Sequence, residues 1–271
     1  AVMALILLAV VGVGANMHFL FGVVIPYAAV SIFLVGMVLR VVKWAASPVP
    51  FCIPTTCGQQ KTLPWIKQSK RENPSNTVGV IGRMALEIFL FRSLFRNIKG
   101  DIKDQSRLVY GSDKWLWAAG LAFHYSFLIV LLRHLRFFAE PVPVVMHLME
   151  TLDGFLQIGA PRLMATGLVL LGAVAFLFLR RLYLPQVRYI SLAADYFPLF
   201  LIMGIASTGI LMRYFFKTDI VSVKQLTMGL ASLSPVIPEG VGMIFYVHLM
   251  LVSALFAYFP FSKLIHMGGV F

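Results

Sequence analysis

Long apolar runs, broken by short polar turns and by one long polar insertion, set the pattern of this chain. Six runs read as membrane-spanning helices: Ala1 to about Ala15, about Phe19 to Val42, about Trp115 to Phe138, Arg162 to Leu179, Ile190 to Tyr214, and Val241 to Phe261. Crossing a bilayer as a helix takes roughly 20 residues at about 1.5 Å rise each. The first run opens inside apolar sequence, with neither a basic n-region nor a small-residue cleavage site, and is expected to be a retained helix rather than a signal peptide. The polar insertion, Lys43 to Lys114, separates the second and third spans. Nothing repeats at a fixed period, and outside the spans the pattern offers only short helices. The expected fold class is all-α: an integral membrane helical bundle of about six transmembrane helices. It forms a single domain, 1–271, with 43–114 as a basic loop within it.

Composition agrees, with 59% of the 271 residues hydrophobic and only 13% charged. The charge is placed by side. Arg40, the twelve Lys and Arg of the Lys43 to Lys114 loop, Arg180, Arg181, Arg188 and Lys263 total seventeen on one face, against six (Arg133, Arg136, Arg162, Arg213, Lys217 and Lys224) on the other. Positive residues in short loops stay cytoplasmic. The basic loop and both termini are therefore expected on the cytoplasmic side of the cell membrane, with lipid as the surrounding partner. The net charge of +12 is then a topology signal. It does not mark a nucleic-acid surface, which needs a soluble basic face with stacking aromatics.

Four of the six histidines, His124, His134, His248 and His266, lie in or at the ends of the third and sixth apolar runs. An imidazole in hydrocarbon is costly to keep and marks a function whose partner must be named. With the two helices antiparallel, His124 faces His266 on the inner side and His134 faces His248 on the outer side. Each pair is a candidate set of axial ligands for a haem iron. Eighteen residues return a straight helix to the same direction, so His248 and His266 align, whereas ten residues leave His124 and His134 about 80° apart. The axial separations also differ, about 27 Å against about 15 Å, which asks for tilt or a bend. Pro260 is placed to supply one. Two imidazoles per iron leave no open position, so such haems would carry electrons only.

Other readings stay open beside this one. A single buried histidine also serves as a packing residue or proton relay, and His266, beyond Pro260, also fits an interfacial position. Gly120, Ala122, Ser126, Gly242, Ser253 and Ala254 near the ligands would let a macrocycle approach the backbone, but small residues serve ordinary membrane helix packing equally well. His18 reads as structural.

The histidine spacing resembles that of the gamma subunit of respiratory nitrate reductase, a dihaem cytochrome b. The loop Pro50-Phe51-Cys52-Ile53-Pro54-Thr55-Thr56-Cys57-Gly58-Gln59-Gln60, continuing Thr62-Leu63-Pro64-Trp65-Ile66-Lys67, resembles more closely the DsrM/HmeC family of DsrMKJOP-type complexes. That resemblance covers nearly the whole chain. It implies two b-type haems and exchange with menaquinone. It also implies a cytoplasmic iron–sulfur partner related to heterodisulfide reductase (DsrK-like), other DsrMKJOP-type subunits, and a place in dissimilatory sulfur metabolism.

Cys52 and Cys57 alone do not complete a zinc or iron–sulfur site, and a cytoplasmic location disfavours a disulfide. Half of a shared site stays open. The favoured reading is a proline-ordered loop, with Trp65, that docks the partner. Val78 to Ile98 is an apolar helix too charged to span, carrying Arg83 and Glu87 four apart, and lies at the interface or under the partner. On the outer side, Glu140 to Pro161 holds an amphipathic helix near the outer haem. A quinol loses two protons with its two electrons. His147 or Glu150 could accept them, and Arg162 or Lys217 could hold a quinone oxygen or a haem propionate; each equally fits a solvated polar face. Two functions compete with the dihaem reading: a monohaem cytochrome b anchor of the formate dehydrogenase or hydrogenase type, and a non-redox transporter or anchor.

Overall fold

The computed structural model describes residues 1–48, 61, 63–103, 107–156, 158–159 and 161–270. In chain order the helices are α1 (Val2–Gly14), α2 (Leu20–Ala45), α3 (Thr77–Leu90) and α4 (Arg92–Phe95), followed by the strands β1 (Ile98–Lys103) and β2 (Arg107–Ser112). Then come α5 (Lys114–His134), α6 (Val144–Asp153), α7 (Ala165–Tyr183), α8 (Pro185–Ile190), α9 (Ala193–Tyr214), α10 (Ile220–Ala231) and α11 (Met243–Tyr258). Five helical segments are long and apolar enough to cross a membrane: Leu20–Ala45, Lys114–Phe137, Ala165–Tyr183, Ala193–Tyr214 and Met243–Phe261. The sixth expected span, α1, is apolar but has 13 residues, about 20 Å of helix against a hydrocarbon core of about 30 Å. The hairpin β1–β2 was not expected. It pairs antiparallel from Ile98 opposite Ser112 to Lys103 opposite Arg107.

Two compact units divide the chain: residues 1–39 with 122–262, and residues 40–121 with 263–271. The basic segment 43–114 falls in the second.

In the first unit α1, α9 and α11 pack through Ala9, Val13, Leu201, Tyr246, Val247, Met250 and Leu251. A second cluster joins α7 and α9 through Leu170, Val174, Ile202 and Ala206, with Phe123, Phe127 and Val130 of α5 against it. Local chemistry explains several helix ends. Asn16 ends α1 in the left-handed region at φ 60°, and Met17 N–H and Asn16 N–H donate to the Gly12 and Val13 carbonyls. Those are the two bonds of a Schellman cap. Pro198, inside α9, has no N–H for the Ala194 carbonyl. The Tyr258 hydroxyl of α11 donates to that carbonyl instead, at 3.2 Å.

Pro260 follows α11 in a 3-10 turn, Phe259–Phe261, and its ring lies in a notch of α2 at Gly36. The α-helix therefore ends at Tyr258 instead of bending and continuing. His266 sits on a separate 3-10 segment, Lys263–Val270. The straight-helix alignment of His248 with His266 does not hold, because the register that defined it stops at the proline.

In the second unit Asn76 caps α3, its Oδ1 accepting from Gly79 N–H at 2.8 Å. Phe91, at φ 47°, breaks the expected Val78–Ile98 helix into α3 and α4. Arg83 and Glu87 do pair, at 3.4 Å. Glu72 gathers Arg92, Arg96 and Arg83. The hydrogen bond from Arg92, with the three guanidinium charges, outweighs desolvation and holds the Glu72 carboxyl below the usual range. Trp117 Nε1–H donates to the Leu90 carbonyl at 2.8 Å, and its ring meets Phe95 edge-on at 4.9 Å.

A methyl group at Gly36 would lie 2.8 and 2.9 Å from the Pro260 ring, which cannot swing away. Gly36→Ala is expected to lower stability by about 1–3 kcal/mol, as overpacking does. Thermal unfolding in detergent checks this. Gly172→Ala, whose added methyl meets nothing within 4 Å, should leave the midpoint unchanged or raise it.

Candidate functional site

His134 is the last residue of α5, and His248 lies one turn into α11. The structure brings their rings together, with centres 6.3 Å apart and planes 10° from parallel. Each ring is oriented through Nδ1. A backbone carbonyl can only accept, so the 2.7 Å contact of His134 Nδ1 with the Val130 carbonyl places the proton on Nδ1. His248 Nδ1 lies 2.8 Å from Thr208 Oγ1 of α9, whose hydroxyl also lies 2.8 Å from the Gly204 carbonyl one turn back. We assign the hydroxyl proton to that carbonyl and the Nδ1–H of His248 to the hydroxyl oxygen. Both Nε2 atoms are then left with their lone pairs, the tautomer that binds a metal.

These residues fit a bis-imidazole iron. With metal–nitrogen bonds of about 2.0–2.1 Å, two imidazoles on one metal place their ring centres roughly 6 to 6.5 Å apart. The observed separation falls in that window. Gly209, one residue past Thr208, lies beside the same ring: a methyl there would meet the His248 Cε1 at 3.5 Å, an ordinary van der Waals contact.

Charged groups surround the His134 end. Arg133 pairs with Asp153 at the end of α6, and Arg136 pairs with Glu150 on the same helix. Asp153 also accepts from Thr166 N–H at 2.7 Å and from the Thr166 hydroxyl at 2.6 Å. Its carboxylate thus sits at the N-terminus of α7, where free N–H groups favour a negative charge. Arg213 donates to the Arg162 carbonyl at 3.2 Å. α6 accordingly turns its acids toward these arginines and leaves Val144, Leu148 and Leu152 exposed.

The other expected site residues are placed as follows. His124 is half-buried on α5 in the first unit, its ring 4.9 Å from that of Phe123. His266 is exposed in the second unit, with Nδ1 2.9 Å from the Lys263 carbonyl. His147, Arg162 and Lys217 are exposed, whereas Glu150 is engaged by Arg136. Trp65 is 78% exposed. Cys52 and Cys57 lie outside the described residues. His18 packs at 5.3 Å on the ring of Tyr246. Sequence reasoning passed over Thr208, Arg133 and Asp153. A threonine in an apolar helix usually bonds only its own backbone, and Asp153 is one of several polar residues on an amphipathic helix. The one available signal was an arginine beside a histidine at the end of a span.

The model of the nitrate reductase gamma subunit family matches residues 79–270. An Hdr-like menaquinol oxidoreductase cytochrome b-like subunit from Archaeoglobus fulgidus is 43% identical over 259 residues, covering 93% of this chain and 77% of that protein. Its counterpart of the same name from Archaeoglobus profundus is 39% identical over 253 residues, covering 91% and 75%. Five apolar helices, a family match over most of the chain and relatives aligned over more than nine-tenths of it lead to one assignment: this multi-pass membrane protein belongs to the nitrate reductase gamma subunit family, as a subunit of the DsrM/HmeC type.

Proposed function

We propose that this chain is a membrane dihaem cytochrome b subunit. It would move electrons between menaquinol and a cytoplasmic, heterodisulfide-reductase-like iron–sulfur partner of a sulfur-metabolism respiratory complex. The observation that carries the reading is the near-parallel pair His134 and His248 at 6.3 Å, each oriented through Nδ1. The names of the relatives, which include both a cytochrome b-like subunit and menaquinol, support it.

A b haem held between two imidazoles exchanges one electron and binds nothing else at its metal. His134 and His248 would hold the outer one. His124 and His266 are the proposed ligands of the inner one. Thr208 and the Val130 carbonyl fix the ring planes and raise the basicity of the ligating nitrogens. Menaquinol oxidation releases two protons for two electrons, and the exposed His147 is the proposed acceptor of one. Glu150 would do so only by giving up Arg136. Arg162 and Lys217 are the candidates for a quinone oxygen or a propionate. The basic segment, with both termini, is assigned to the cytoplasmic side, where the loop with Cys52, Cys57 and Trp65 would dock the partner.

Pyridine haemochrome quantitation on the purified complex is expected to give two b haems per chain. One haem would favour the monohaem anchor, and none would sink the proposal. His134→Ala should remove one haem and leave the spectrum of the other unchanged. Thr208→Val should weaken haem retention about 10–100-fold, the usual cost of losing such a support, while Thr208→Ser keeps it. The rate of haem transfer to a scavenging apoprotein measures both.

A further inference from the structure

Arg133 and Arg136 flank His134 in sequence, where α5 ends and a 3-10 turn follows, so both guanidinium charges are carried beside its imidazole. Each is met by an acid of α6, but in different surroundings. The side chains of Arg136 and Glu150 are 31% and 20% exposed, so water screens that pair. The side chains of Arg133 and Asp153 are 13% and 1% exposed, and both carboxylate oxygens of Asp153 are occupied, by Arg133 and by the two donors of Thr166. A charge held in so little water acts at longer range and with less attenuation than one at the surface. The Nε of Arg133 is buried with no hydrogen-bond partner, and the polar contacts of its head are Asp153 and, at 3.5 Å, the Thr166 hydroxyl. The guanidinium is therefore neutralised chiefly by one carboxylate supplied from another helix.

We propose that Asp153 sets the midpoint potential of the haem held by His134 and His248, by cancelling the charge of Arg133 beside that site. The inference rests on the haem reading of the pair. Reduction adds one electron, hence one negative charge, and an uncompensated cation close by favours that state. With Asp153 ionised, Arg133 contributes little net field and the potential is held down. Without it, the field of Arg133 is uncovered and the potential rises. Asp153 acts through Arg133 and touches neither haem nor quinone, so it is a positioning residue for charge.

The test is an optical redox titration of the complex, with the relevant haem identified as the component that His134→Ala removes. Asp153→Asn keeps the shape of the side chain and its acceptor for Thr166 N–H, and is expected to retain haem and move that midpoint upward while the other haem stays in place. Asp153→Glu, which keeps the charge, should stay near the wild-type value. The double variant Arg133→Gln with Asp153→Asn removes both charges and should bring the midpoint back toward wild type. If Asp153→Asn loses haem, the double variant is read against Arg133→Gln alone: a midpoint lower in Arg133→Gln than in the double variant supports the proposal, and equal midpoints overturn it. Haem retained with an unmoved midpoint in Asp153→Asn, or an equal shift in Asp153→Asn and the double variant, also overturns it. Absence of haem from the unmutated protein overturns instead the reading on which the inference rests.

Discussion

Hydrocarbon offers no hydrogen bonds, so a polar group carried into the membrane by a spanning helix must find its partner in the protein. The arrangement around His134 and His248 follows from that requirement. Each imidazole has one nitrogen occupied, by the Val130 carbonyl in one case and the Thr208 hydroxyl in the other. Thr208 serves its ring only because α9 packs against α11, and that packing is the Leu201, Val247 and Leu251 contact. The nitrogens left over point the chemistry toward a metal. The same rule governs the charges: Arg133, near the end of α5, is tolerated because Asp153 arrives from α6 and is itself held by Thr166 of α7.

Close packing is what makes those meetings possible. Gly36 admits the Pro260 ring, and Gly204 lies against Leu251. In each case a missing side chain sets how near two helices come, which in turn sets whether a polar group on one reaches its partner on the other. Proline acts in the opposite sense. Pro260 stops α11, and Pro198 frees a carbonyl that Tyr258 then takes up.

The second unit solves a different problem. α3 carries exposed Val78, Ile81 and Phe89 together with Arg83 and Glu87, so one short helix presents both apolar and charged surface. Its charges are drawn into a cluster around Glu72, and Arg92 and Arg96 of the next turns join it. A surface of this mixed kind suits a membrane boundary or a protein partner better than open water. The exposure of Trp65 is consistent with the second.

Much of this was legible in the sequence. Five of the six apolar runs form helices long and apolar enough to cross a membrane, and their length and hydropathy are local properties that no packing could reverse. The meeting of His134 with His248 was reachable from helical arithmetic too, since antiparallel helices place the two at matching heights. The Arg83–Glu87 pair and the amphipathic α6 followed from helical spacing alone. The errors arose where one element depends on another. The eighteen-residue alignment of His248 and His266 assumed a helix that runs past Pro260, and the helix stops there. A break at Phe91 and the β1–β2 hairpin interrupt what read as one helix and a loop. Glu150 fitted a solvated face, and Asp153 was not singled out, yet α6 turns both toward arginines of the neighbouring segment. The sequence by itself determined the membrane class, the spans and the residues able to ligate. The tertiary structure alone decided which polar groups meet: hydrophobic pattern specifies that a helix is buried, while the partner of a buried charge or imidazole depends on neighbouring helices far away along the chain.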